Sequence, residues 1–115
     1  MFRVEFYETE DGKSPVSDFI DSLDNKMAAK LIGLLEVLED KGTELRLPYS
    51  KYLDDGIFEL RCKLGSNITR TLYFFYIGER IIITNGFVKK SQKTPPGEIQ
   101  LAQKRRADWI ERNKQ

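Results

Sequence analysis

Residues 57–88 read IFELRCKLGSNITRTLYFFYIGERIIITNGFV, three apolar-rich runs separated by Gly65-Ser66-Asn67 and by Gly78-Glu79. Runs rich in Ile, Phe, Leu, Tyr and Thr, bounded by glycine turns and with no helical stretch between them, predict antiparallel strands over 57–64, 68–77 and 80–88, joined as a meander. In the first run Phe58, Leu60, Cys62 and Leu64 alternate with Ile57, Glu59, Arg61 and Lys63. Successive strand side chains point to opposite faces, so the first set belongs to a core. The second set puts a carboxylate, a guanidinium and an ammonium in a row, about 7 Å apart, on the other face. The turn at 65–67 brings Arg70 opposite or diagonal to Arg61 or Lys63. Such a cluster suits either a solvent-facing ion pair between Glu59 and an arginine or a site for an anion. The third run leads into FVKKSQKT, residues 87–94, which adds Lys89, Lys90 and Lys93 just before a helix start. Cations beside a helix N-terminus suit phosphate oxygens.

Outward from this core, Phe2, Val4 and Phe6 alternate with Arg3, Glu5 and Tyr7, the period of a half-buried strand. Ser14-Pro15 is a helix start, and Val16, Phe19, Ile20 and Leu23 then fall on one helical face. Asp24 opens a second helix whose stripe is Met27, Leu31, Leu34, Leu35 and Leu38, stopped at Lys41-Gly42. Residues 43–56 carry Pro48 and the turn signal Asp54-Asp55-Gly56, and are expected to form a loop that places Lys51 and Tyr52 ahead of the next strand. Beyond Thr94, Pro95-Pro96 begins a helix with Ile99, Ala102 and Trp109 among Lys104, Arg105 and Arg106, a basic C-terminal helix. The order β-α-α-β-β-β-α defines a single α+β domain over 1–115, with a small antiparallel-rich sheet packed by two N-terminal helices. Most of the aromatic run Tyr73–Tyr76 is expected in the core, with Cys62 a small core residue and Trp109 a packing anchor.

At 115 residues the chain can bury a core of its own without disulfides. With one cysteine and no histidine it has neither a disulfide, nor the ligands of a common zinc site, nor a histidine-assisted nucleophile. No metal or small-molecule cofactor is expected. The start, MFRVEFYETED, is acidic where a signal peptide is basic and then apolar, and no run is long enough to span a bilayer, so a cytoplasmic protein without membrane contact is expected. The net charge of +1 hides an asymmetry. Residues 1–50 hold 6 Lys and Arg against 11 Asp and Glu, net −5, while 51–115 hold 13 against 7, net +6. The basic half points to a polyanionic partner such as nucleic acid, or to a solvated face that balances the acidic one.

The stretch GIFELRCKLGSNITRTLYFFYIGERIIITNGFVKKSQKTPPGEIQLAQKR resembles the core of the RelE/ParE-type toxins of bacterial and phage toxin-antitoxin modules. It is most similar to the HigB-like branch that includes phage-derived Gp49-like proteins. The likeness rests on Glu-Leu-Arg at 59–61, Arg-x-Leu-Tyr at 70–73, the exit Phe-x-Lys-Lys-x-x-Lys-Thr-Pro at 87–95 and the basic helix that follows, together about residues 51 to 108.

This resemblance implies a RelE-like fold and a ribosome-dependent mRNA interferase, a metal-independent endoribonuclease that cuts translated mRNA in the ribosomal A site. It also implies a cognate helix-turn-helix antitoxin as partner. By similarity Arg61, Arg70 and the pair Lys89-Lys90 fall where ribonuclease members carry cationic catalytic residues, and Lys51, Lys63 and Lys93 would hold flanking RNA. Two guanidinium groups suit the reaction because each binds two phosphate oxygens and keeps its charge. The chain departs from better-known members in lacking histidine and in having Pro95-Pro96-Gly97 where RelE-like ribonucleases carry a tyrosine. The acid-base role then falls to Glu59 or to a lysine whose pKa is lowered by neighbouring cations. The same fold in the ParE branch inhibits DNA gyrase without RNA chemistry, and an inert domain that only binds RNA or its partner is the third possibility.

Overall fold

The meander expected at 57–88 forms the centre of a five-stranded sheet in a computed structural model that describes residues 1–90 and 92–114. The strands are β1 (Arg3–Phe6), β2 (Ser50–Asp54), β3 (Ile57–Leu64), β4 (Asn67–Tyr76) and β5 (Arg80–Val88). They lie in the order β1-β5-β4-β3-β2, with β1 parallel to β5 and every other pair antiparallel. Strand β2 stands where a loop is expected over 43–56. Its residues SKYLD are mostly exposed and carry no clear alternation, so edge pairing rather than burial makes them a strand. The Asp-Gly signal was the informative part. Asp55 (φ 51°) and Gly56 (φ 79°) take the left-handed conformations of a two-residue hairpin turn between β2 and β3.

Helix α1 (Pro15–Ser22) is capped by Ser14, whose Oγ accepts the Ser17 N–H at 3.4 Å. Helix α2 (Asn25–Lys41) is capped by Asp24, which accepts the Met27 N–H at 2.9 Å, and ends on Gly42 at φ 54°. Their apolar stripes, with Val16, Ile20, Met27, Leu31, Leu35 and Leu38 buried, pack on Leu60, Cys62, Tyr73, Ile81 and Ile83. This is the apolar parity set of β3 with its cross-strand partners, as the alternation requires. Strand β1 would leave an open sheet edge, but the Val4 N–H donates to Glu39 Oε2 of α2 at 2.8 Å, which blunts it.

Helix α3 (Pro96–Asn113) covers part of the opposite face, so the sheet is a central layer. Ala102 and Trp109 bury against Ile57, Leu72, Phe74 and Ile82, and Trp109 meets Phe74 and Tyr76 edge-on. The basic residues of α3 largely serve this docking. Arg106 pairs with Asp55 at 2.7 Å, Arg105 donates to the Thr84 carbonyl at 2.9 Å, and Arg112 donates to the Glu8 carbonyl while pairing with Asp108 of its own helix, which accepts the Tyr7 hydroxyl at 2.6 Å. Among the described residues no helix is long and apolar enough to cross a membrane.

Gly86 in β5 marks the closest approach of α1. A Cβ built there would lie 2.5 Å from Phe19 Cδ2 and 3.1 Å from Thr71 Cγ2. Gly86→Ala is therefore expected to lower stability by about 1–3 kcal/mol, the usual consequence of overpacking. Urea unfolding checks this as a lower midpoint at unchanged slope.

Candidate nucleic-acid interface and active site

The site is built on the sheet face that α3 only partly covers, and its geometry follows from strand register. Arg61 pairs with Arg70 across β3 and β4. The Arg61 N–H donates the other way, to the Tyr49 carbonyl at 2.7 Å. Arg61 and Arg70 are therefore a non-hydrogen-bonded pair, the kind in which facing side chains come closest. Two like charges directly opposed repel.

Glu59, two residues back on the same face, resolves the conflict. Its Oε1 accepts the Arg61 Nε–H at 3.0 Å and lies 3.2 Å from Arg70 Nε, close enough to pair charges although Arg70 Nε has no hydrogen bond of good geometry. Its Oε2 accepts the Thr94 hydroxyl from the segment entering α3. At 1% exposure Glu59 lies at the floor of the site with both oxygens engaged. Arg70 is also buried, while Arg61 is partly exposed. Burial pushes the Arg70 pKa down, Glu59 pulls it back up, and Arg61 lowers it further.

Of the remaining sequence candidates, Lys51, Lys63, Lys89 and Lys93 lie around this triad. Lys51 pairs in register with Glu59, and Lys63 lies two residues beyond Arg61 on the same strand face. The Lys89 N–H donates to the Ile68 carbonyl at 2.9 Å, which extends β5 pairing one step and keeps the half-buried Lys89 beside the arginines. Its pKa is held below the ordinary lysine value, first by desolvation, then by Arg70, with Glu59 opposing and Arg61 and Lys51 adding to the depression. Lys90 is exposed, and Lys93 borders a small cleft of about 200 Å³ with Lys51, Arg61 and Thr94. Ser91, within the cationic exit, lies outside the described residues.

A larger cleft of about 650 Å³ opens where β2 stops and leaves the end of β3 unpaired. Arg61, Arg70, Lys63 and Lys30 line it with Tyr49 and Pro48. Arg61 is common to both clefts, so the cationic surface runs from Lys63 past the arginines to Lys51 and Lys93. Three participants escaped the sequence reading. Thr94 stood in the exit motif, but spacing does not tell that its hydroxyl reaches Glu59. Lys30 reads as an exposed position of α2, and Tyr49 as part of a proline-containing loop. Among the described residues no group of three or more His, Cys, Asp or Glu side chains is placed to hold a metal ion.

A small α+β sheet whose central strands present clustered cations on one face, with helices packed on the other, is consistent with a RelE-like fold. The family model described as Phage derived protein Gp49-like (DUF891) matches residues 18–107, and the chain belongs to that family. It is a toxin-like family related to the RelE and ParE toxins, and an antitoxin is the partner that such membership implies. No curated protein matches the chain.

Proposed function

We propose that this chain is the toxin of a toxin-antitoxin module, in the HigB-like branch, and that it acts as a ribosome-dependent endoribonuclease on translated mRNA. The observation that carries this reading is the Arg61–Arg70 pair, opposed across two strands and fastened to one buried carboxylate at the wall of an open cationic cleft. An inhibitor that acts by binding alone has no need of two guanidinium groups opposed in one cleft.

The ribose 2′-oxygen attacks the adjacent phosphorus, its proton passes to solvent, and the bond to the 5′-oxygen of the next nucleotide breaks, leaving a 2′,3′-cyclic phosphate. Arg61 and Arg70 stabilise the charge that builds on the phosphorane oxygens. Lys89 gives its proton to the departing 5′-oxygen, with Lys90 as an additional cation beside it. Glu59 acts through the arginines by holding them together, and Thr94 holds Glu59. Lys51, Lys63 and Lys93 carry flanking phosphates. The ribosome presents the message in its A site and supplies alignment that a small cleft lacks. The cognate antitoxin, a helix-turn-helix protein, blocks this encounter.

Induction of the wild type in a bacterial host without antitoxin tests the reading. Growth arrest accompanied by cuts within translated messages is expected. Arrest with intact messages and altered plasmid supercoiling would replace it by gyrase inhibition, and no arrest would leave a binding domain.

The pH profile provides a second check. Loss of the 2′-proton to solvent makes the cleavage rate climb with pH. A donor lysine must stay protonated, so the climb levels off at the Lys89 pKa, below the ordinary lysine value. In Lys89→Met the rate is expected to be lower and the levelling to disappear over that range. An unchanged profile would remove Lys89 from the proton transfer.

A further inference from the structure

The cationic surface accounts for phosphates and leaves unused the one aromatic ring among the described residues that line the larger cleft. Tyr49 is 51% exposed and lines the larger cleft together with Arg61. Its carbonyl takes the Arg61 N–H, so its backbone is tied to the strand that carries the phosphate-binding guanidinium. The other aromatic nearby is already engaged: Tyr52 packs edge-on against Phe58, and its hydroxyl accepts the Gly56 N–H. Tyr49 makes no ring contact or side-chain hydrogen bond among the described residues. Pro48 and Ile68 add apolar lining to the same cleft. The Lys63 N–H points out of the free β3 edge into the same region, because residues two apart on a strand direct their backbone groups alike.

We infer that Tyr49 is the platform of a nucleobase subsite, on which an unpaired base stacks while the phosphate of the same strand sits on Arg61 and Arg70. This rests on the RNA reading and deepens it by adding a contact to the base. A planar base and an anionic phosphate are the two halves of a nucleotide, and one cleft is lined by both an unpartnered aromatic ring and a guanidinium pair. Stacking on an aromatic ring is tolerant of base identity, so the subsite strengthens binding to single strands of many sequences.

The test measures fluorescence anisotropy of two labelled single strands of equal length that cannot be cut, a 2′-O-methyl oligoribonucleotide of mixed sequence and its abasic counterpart. Tyr49→Ser is expected to weaken binding of the base-bearing strand about tenfold to a hundredfold, the range of one lost stack. It should leave the abasic strand within about twofold, while Tyr49→Phe keeps wild-type affinity for both, as a stacking contact requires. Equal weakening of both strands, or none of either, would overturn the subsite. Binding abolished by Arg61→Gln but untouched by Tyr49→Ser would overturn the stacking alone and leave the RNA reading standing. A wild type that binds neither strand would overturn the subsite, and the RNA reading is then decided separately by cleavage of a message on the ribosome.

Discussion

Replacing Glu59 with glutamine is expected to destabilise the fold by about 3 kcal/mol or more and to abolish most activity in the molecules that remain folded. Glu59 and Arg70 are both buried, and Arg61 faces Arg70 directly across the strands. Removing the carboxylate leaves a buried guanidinium without a counter-charge and a second one opposed to it. Loss of one partner of a buried pair typically costs about 3–5 kcal/mol, because the remaining charge stays desolvated. Glutamine keeps the shape and still accepts from Thr94, so the effect isolates the charge.

Two measurements separate the structural role from the chemical one. Urea unfolding gives the stability loss, and single-turnover cleavage under conditions where the variant is folded gives the rest. A positioning role predicts a fall in kcat larger than the rise in KM, since the arginines are still present but no longer aimed. The double change Glu59→Met with Arg70→Met supplies the contrast. Apolar replacement of a buried ion pair is commonly neutral or stabilising, so this protein should regain stability relative to Glu59→Gln and cleave nothing. A Glu59→Gln protein of wild-type stability and activity would show that the carboxylate holds neither arginine in place.

The second large effect is expected at Arg70 itself. Arg70→Lys preserves a positive charge but removes the planar fork that reaches two phosphate oxygens. Arg70 is buried and lines the cleft with Arg61, so a lysine would offer a single ammonium in place of a guanidinium fork. Removing one transition-state donor typically costs about a hundredfold to a thousandfold in rate. A loss of that size is expected for Arg70→Lys, with RNA affinity changed much less, because Lys51, Lys63 and Lys93 still carry flanking phosphates. Comparable losses of affinity and rate would make Arg70 a general binding cation instead.

The parity of β3 was legible because Phe58, Leu60 and Cys62 alternate cleanly with Glu59, Arg61 and Lys63, and a strand has only two faces. The helices were equally legible, since Ser14-Pro15, Asp24 and Lys41-Gly42 mark their limits by hydrogen-bonding chemistry local to the chain. Strand β2 was not, because its pairing with β3 is an edge contact that needs no burial pattern. The near position of Arg70 to Arg61 could be read from turn length, but the Glu59 bridge could not. Alternation suggests a solvent-facing carboxylate, whereas α3 and the segment before it close over that part of the face, and Thr94 completes the enclosure. The basic character of α3 was similarly visible without its use, as Arg105, Arg106 and Arg112 turn toward the sheet and its loops to dock the helix. Tertiary closure decides all of these, and a one-dimensional pattern does not contain it.

The central claim is that the opposed Arg61 and Arg70 cleave RNA presented by a ribosome. Its most direct test uses purified bacterial ribosomes stalled on a defined message with an empty A site, incubated with the wild type or with Arg70→Ala, and the message mapped by primer extension. The wild type is expected to cut within the A-site codon and leave a 2′,3′-cyclic phosphate, while Arg70→Ala leaves the message whole. An intact message with the folded wild type, or the same cut made equally fast by Arg70→Ala, would contradict the claim.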